Sequence, residues 1–288
     1  VRLTRGNPGA SNHGGGVLVN GGTLSATDVV IDNSHGNQGG CIYNNGSLTL
    51  IRARLSACQA GFGAGLLNEG GKTANVYDTI IENNISSGGA GGVGNNGSLL
   101  LERVTLAGNS ATFGGGMINA ASATLYNVTV SGNIATTDKA GGIYIGVGSS
   151  MTVNHATITA NTALAFAGGG IWNDGGVIDL RNSIIAGNFG SGANVDAVGS
   201  ITGHGYNLIG TPGGYSFSGG SDLTGNQINV DARLRPLAIN ASFGGTHAPL
   251  HDSPVIDAGG NGLGGDARGL LRPVDFTHIA NASGGNGS

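Results

Sequence analysis

Apolar and polar residues alternate along most of this chain with a period of two, in runs too short for helices and rich in β-branched side chains. The alternation restarts after a series of glycine clusters: Gly14-Gly15-Gly16, Gly39-Gly40-Cys41, Gly63-Ala64-Gly65, Ala90-Gly91-Gly92, Gly114-Gly115-Gly116, Ala140-Gly141-Gly142 and Gly168-Gly169-Gly170. The third slot of these clusters advances by 25, 24, 27, 24, 26 and 28 residues. A closing slot, filled by Asn33, Cys58, Asn84, Asn109, Asn133, Asn161 and Asn188, advances at nearly the same pace. Two independent marks that keep one period are the signature of a solenoid.

Three apolar columns follow from that frame. Val17, Ile42, Leu66, Val93, Met117, Ile143 and Ile171 stand directly after the glycines. Three residues before the closing slot stand Val30, Leu55, Ile81, Leu106, Val130, Ile158 and Ile185, and eight before it stand Ser25, Leu50, Val76, Leu101, Leu125, Val153 and Leu180. Three inward columns predict three short strands per coil, with no room for helical crossovers, so coils stack in register about 4.8 Å apart. The predicted fold is all-β, a parallel β-helix of coils of 24–28 residues, right-handed by the general crossover preference. Regular coils occupy 1–188, and 189–288 is expected to supply irregular coils and a capping segment of the same solenoid.

Asn tolerates left-handed backbone at turns and forms amide ladders when stacked. The closing column (Asn33, Asn84, Asn109, Asn133, Asn161, Asn188) and a second column after the first strand (Asn44, Asn68, Asn95, Asn119, Asn173) are therefore read as scaffold. One coil departs from the rule twice, with Cys41 in a glycine slot and Cys58 in an Asn slot, and these are the chain's two cysteines. The two slots face each other across one loop, so a disulfide in an oxidising compartment is expected; the alternative is a pair of buried thiols filling gaps.

The residue between the first inward position and the second Asn column points outward. That column reads Leu18, Tyr43, Leu67, Gly94, Ile118, Tyr144 and Trp172, an apolar stripe among polar neighbours that contains the single Trp. An exposed stripe of this kind marks an interface. It is open to packing on a second copy, to flat sugar rings on Tyr43, Tyr144 and Trp172, or to cover by the C-terminal segment.

Composition narrows the remaining classes. With 59 Gly in 288 residues but 6 Pro and no Gly-X-Y period, collagen is excluded. Charged residues are 10% and the net charge is −4, so no basic patch offers a phosphate backbone its counter-charge, and nucleic acid is not an expected partner. No apolar run approaches the roughly 20 residues of a membrane span. Polysaccharide lyases and hydrolases on this architecture need clustered or paired carboxylates. The column six before the closing slot (Thr27, Arg52, Asp78, Arg103, Asn127, His155, Asn182) reads instead as an alternating surface charge ladder, and Asp174 and Asp179 have no acidic partner on adjoining coils. No catalytic residue, cofactor or metal is assigned; His247 and His251 flank Pro249, which argues against a helical zinc site. The sequons at Asn45, Asn96 and Asn127 arise naturally in a Gly-Asn-Ser-rich repeat.

Past Asn188 the period fades into Gly205-Tyr206-Asn207-Leu208-Ile209-Gly210, Asp222-Leu223-Thr224-Gly225-Asn226, Asp231-Ala232-Arg233-Leu234 and Thr246-His247-Ala248-Pro249-Leu250. Ser253-Pro254-Val255-Ile256-Asp257-Ala258-Gly259, Asp266-Ala267-Arg268-Gly269 and Arg272-Pro273-Val274-Asp275 follow. This order resembles the tails of bacterial secreted β-helix proteins of the choice-of-anchor Q type. The resemblance implies an extracellular, surface-associated protein with no assigned catalytic residues and a sorting signal expected outside these residues. Residues and resemblance together lead to the expectation of a non-catalytic structural or adhesive surface protein, self-assembling end to end or laterally. The alternative is a module that binds or degrades an extracellular polysaccharide.

Overall fold

The computed structural model describes residues 1–9, 12–191, 195–219, 224–240, 243–260 and 264–271. Arg272-Pro273-Val274-Asp275, Asp222 and Leu223 lie outside the described residues. The chain winds into a parallel β-solenoid of about eight turns with three sheets.

The broad sheet begins with two long strands, Val17–Thr27 and Ile42–Ile51. In later coils it continues as two shorter pieces, such as Leu66–Asn68 with Thr73–Tyr77 and Met117–Asn119 with Ser122–Tyr126. The second sheet stacks one strand per coil from Arg2–Thr4 to Gln227–Ile228. A narrow third sheet of two-residue strands runs from Gln59–Ala60 to Phe189–Gly190. Its inward side chains are Ala60, Ser86, Ala111, Ala135 and Ala163, so this wall sits close to the core. The core is a continuous pile of Leu, Ile, Val and Met from the columns named above, nearly all without solvent contact.

The first coil corrects the sequence frame by one residue. Gly21 and Gly22 stand opposite the single Gly46, and the register shifts between Asn20 and Thr23. Beyond that bulge Ile31 and Ala26 pair with Leu55 and Leu50, so they, rather than Val30 and Ser25, hold the inward slots. Ser34 likewise takes the closing slot. Asn33 is exposed at φ 49°, in the left-handed turn slot where Asn83 (φ 53°) stands two coils later. It is not a ladder residue.

The true closing column is an unbroken chain of amides. Asn84, Asn109, Asn133 and Asn161 each donate from Nδ2 to the Oδ1 of the next, at 2.9, 3.0, 2.9 and 2.9 Å, ending on Asn188. Each Oδ1 also accepts the backbone N–H of the Asn behind it, at 2.9–3.0 Å. The second Nδ2 proton goes to the carbonyl of an inward residue in the preceding coil: Leu55, Ile81, Leu106, Val130 or Ile158. Every polar atom of the buried amide is thereby satisfied. The last acceptor is Asp196, whose Oδ1 takes both Asn188 donors (2.7 and 2.8 Å) and whose Oδ2 takes Thr211 N–H (2.6 Å). All its partners donate, so an acceptor-only carboxylate fits, although burial pushes its pKa above the ordinary range. The second amide column is shorter. Asn44, Asn68, Asn95 and Asn119 are linked at 2.7–2.9 Å, then Ile145 occupies the slot and Asn119 keeps only the backbone bond to the next coil, to Ser150 O, that each amide before it also makes. Asn173, past the break, bonds Gly176 O and Ser200 O.

After Ile228 the chain leaves the coil and lies as a strap along the outside of the second sheet. It bridges to itself at Leu234–Pro249 and Ala238–Thr246. Thr105 Oγ1 donates to Gly245 O (3.0 Å), and His247 Nε2 meets Ser131 Oγ at 2.9 Å. The bed is made of small outward residues that leave no ridge: Thr105, Ala107, Thr129 and Ser131.

Two substitutions separate ladder from turn. Asn133→Ala strips partners from Asn109 N, Asn109 Nδ2 and Leu106 O, and is expected to lower stability by about 3–5 kcal/mol in denaturant titration. Asn33→Gly, at a left-handed exposed position, is expected to stay within about 0.5 kcal/mol of the parent.

Candidate functional site

The stripe Leu18, Tyr43, Leu67, Gly94, Ile118, Tyr144 and Trp172 is one column, each residue in register with the next. It is not a continuous exposed surface: Leu67 is 1% and Ile118 4% exposed. The reason lies in the loops before the glycine clusters, which fold back over the column. Phe62, Gly89 and Phe113 form a second outward column, bridged at Gly89–Phe113 and joined by the hydrogen bond from Gly63 N to Gly89 O. A Cβ on Gly94 would lie 2.8 Å from the Phe62 ring, and one on Gly89 2.8 Å from the Phe113 ring, so each glycine makes room for a neighbouring aromatic.

The half-buried rings are also engaged. Tyr43 stacks on His13 with centroids 4.5 Å apart, and Phe113 meets Tyr144 edge-on at 5.5 Å. Lys139 Nζ lies 4.8 Å above the Trp172 ring, a cation–π contact that occupies one face of it. Tyr144 OH donates to Asp174 Oδ2 at 2.7 Å. The Tyr144 pKa is pushed up to about 12, first by burial and then by that carboxylate, while the phenol holds the Asp174 carboxyl below its usual range. The stripe is thus a small external core, and only Leu18 at its first end is exposed.

The column of Arg52, Asp78, Arg103, Asn127, His155 and Asn182 is a left-handed corner: all six have φ between 47° and 55°. Its first member is Asp28 rather than Thr27, for the same one-residue reason. Arg52 pairs with Asp28 (2.7 and 2.8 Å), and Arg103 with Asp78 (2.6 and 3.0 Å) and Glu102. Those partners hold the Arg103 guanidinium charged far above its ordinary range, with the Asp78 hydrogen bond the largest cause. These are surface ion pairs that brace adjoining coils, and the two carboxylates at Arg103 are both taken up by its guanidinium.

Cys41 and Cys58 are joined in a disulfide with Cα atoms 5.4 Å apart, and both are fully buried. The neighbouring coils explain why both positions change together. A Cβ on Gly116 would sit 3.1 Å from the Asn133 amide, and one on Gly170 2.7 Å from Asn188 Nδ2. Backbone carbonyls of the next coil would stand nearer still, at 2.7 and 2.4 Å, so the regular slot has no room for a side chain; in the one coil where Cys41 fills it, the facing residue is bonded to it. Asn84 Oδ1 still accepts the Cys58 N–H at 2.9 Å, so the first amide of the closing column is tied to the disulfide coil.

No family model, curated protein or solved structure matches this chain.

The residues that sequence reasoning missed are Phe62 and Phe113, which cover the stripe, and Asp196, which ends the ladder. A third omission is the outward column of the narrow sheet, Gln59, Ile85, Ser110, Ile134, Thr162 and Phe189. Its signal was present one residue after each closing Asn, in slots with no inward periodicity to flag them.

Two measurements check this geometry. Alkylation without reductant is expected to leave the mass unchanged, whereas reduction adds two alkyl groups and lowers stability by about 3 kcal/mol for a loop of this size. Because Tyr144 holds its proton longer folded than unfolded, its contribution to stability is complete below pH ~10 and falls as pH rises through about 12. Asp174→Asn is expected to move this titration down, but not fully to the ordinary phenol value, in a UV absorbance titration.

Proposed function

We propose that the protein is a non-catalytic extracellular rod with a structural or adhesive role, associating laterally with further copies of itself through the narrow sheet. The observation that carries this reading is the outward column of that sheet. Ile85 is 54%, Ile134 38% and Phe189 48% exposed, with Ser110 and Thr162 between them, and Leu164 and Phe166 are exposed on the adjoining loop. No outward slot from Gln59 to Phe189 is charged. An uncharged, apolar row at one position per coil favours a like row on another rod, because desolvation there opposes no charge. Contacts repeated along two rods also act together, so each need only be weak.

The buried Cys41–Cys58 bond supports an oxidising compartment and hence an extracellular location. The resemblance to the choice-of-anchor Q type rests on the order of tail motifs alone, and several of these motifs have structural roles in this chain. Leu208–Ile209 forms a strand of the second sheet. His247 latches the strap to Ser131 and to Arg235 O, and Asp266 accepts Arg268 N and Leu270 N to close a turn.

Sedimentation velocity across a concentration series tests the self-association. The parent is expected to associate as concentration rises, and the exposed double substitution Ile134→Lys with Phe189→Lys to remain monomeric with an unchanged circular dichroism spectrum. A monomeric parent throughout, or a variant that associates as strongly, refutes the reading.

A further inference from the structure

The hairpin of the strap is clamped at its base and latched at its far end. At the base, Ser253 Oγ donates to Ala232 O (2.6 Å), Leu250 N–H to Arg233 O and Arg235 N–H to Ala248 O (both 2.8 Å). Ala232, with Leu234 and Val255, also packs on Ala186 and Leu208. Farther out, the hairpin is fastened to the second sheet at Gly245, through Thr105, and at His247, through Ser131. Its large apolar residues Leu237, Ile239 and Phe243 stay exposed, so burial adds little to this attachment. A segment held by so few buried contacts opens locally before the barrel does.

The hairpin covers a floor that is otherwise open. Thr105, Ala107, Thr129 and Ser131 point outward, yet none is more than 8% exposed. Arg54 and Ser56 hold the same slots two coils earlier, and they are exposed and half-buried. Small residues on a flat sheet do not bury one another, so the cover is the strap.

The latch at His247 is the one that titrates. Arg235 O can only accept, so Nδ1 carries the ring proton (2.7 Å), and the Nε2 lone pair takes the Ser131 hydroxyl proton (2.9 Å). A second proton on the ring turns Nε2 into a donor. Ser131 Oγ then has to accept, its own proton loses its acceptor, and Ser131 Oγ has no other partner among the described residues. The new cation also meets no free counter-charge. The bed strands Thr105–Ala107, Thr129–Ser131 and Thr157–Thr159 carry none. Asp266 is taken by Arg268 Nε (2.6 Å) and by the Arg268 and Leu270 N–H groups. Asp252 pairs with Arg233 (2.8 Å), and Glu82 with Arg54. Arg235 and His251 are exposed on the strap, and His155, which lines the same cavity as His247, adds only positive charge when it protonates. Burial, the larger cause, holds the His247 imidazole below its ordinary range, against the Arg235 carbonyl.

We infer that the hairpin is a pH-sensitive cover: protonation of His247 at mildly acidic pH frees its far end and bares the Thr, Ala and Ser floor of the second sheet. A docked imidazole that takes its proton less readily than a free one keeps the cover shut above pH ~6.5, and docking weakens as pH falls below that value. The surface laid open is uncharged, with short hydroxyls and methyls. It lies on a different sheet from the self-association column and does not depend on it.

Thiol labelling of the full chain measures the opening. Ala107→Cys places a reporter in register with Ser131, where release of the hairpin admits dithiobis(nitrobenzoate). Rates are compared from pH ~7.5 to pH ~5 with and without His247→Gln, so the titration of the reporter thiol cancels. The substitution His247→Gln keeps an amide near the Nε2 position that takes up no proton. The rate in the His247 chain, divided by that in the Gln variant, is expected to rise about threefold or more as pH falls, with far-UV circular dichroism unchanged. A flat ratio overturns the proposal, as does a rise accompanied by loss of the β spectrum, which means that the barrel itself unfolds. NMR titration of the His247 ring in the parent gives a second reading. A midpoint below pH ~6.5 is expected, and one at or above it overturns the proposal.

Discussion

Side-chain amides repeat at the same spacing as parallel strands, and this coincidence governs the rod. An Asn in the closing slot can hand one proton to the next amide, another to the preceding coil, and accept two from behind only if successive coils stay in strict register. A slipped register would leave those buried donors and acceptors unpaired, a cost that rearranged apolar packing does not offset. The same amide dictates its surroundings. The facing third glycine of each regular cluster has no room for a Cβ, which would meet both the amide and a backbone carbonyl of the next coil, and one coil replaces glycine and Asn together by a disulfide. At Asp196 the column reaches donors on every side and ends on the one side chain that only accepts.

Outside the barrel a different constraint applies. Strands of two or three residues leave broad turns, and the chain uses these to cover its own outer surface. Phe62 and Phe113 lie over glycines of the adjoining loop and strand, turning what would be an open stripe into a packed seam. The strap needs a flat bed, and the second sheet supplies one with Thr, Ser and Ala in its outward slots. Neither device reaches the narrow sheet, whose outward Ile85, Ile134 and Phe189 stay exposed.

The coil was legible because its determinants are local and periodic: inward apolar slots, glycines and amides recur at one interval. The first coil misled by one residue, because a bulge at Gly21-Gly22 changes the count without changing the composition. Asn33 looks like a ladder residue for that reason, and Ser34 does not. The fate of the outward stripe was illegible on different grounds. Alternation says that Leu67 and Ile118 point away from the core, but not that a phenylalanine from a loop returns to cover them. The strap's anchoring lies further still from periodic reading, since Thr105 and Gly245 are 140 residues apart.

The two amide columns end at different heights, and their overlap has a mechanical meaning. The inner one links coils from Asn44 to Asn119, and the closing one runs from Asn84 to Asp196. Like staggered strands in a spliced rope, they leave no joint between those limits without at least one continuous cord, even at Ile145 where the inner column stops. In a nearest-neighbour chain of repeats, the weakest joint decides where a structure parts. Here the joints that neither column spans lie at the two ends, before Asn44 and past Asp196, so the rod is expected to loosen from its tips and hold at its waist.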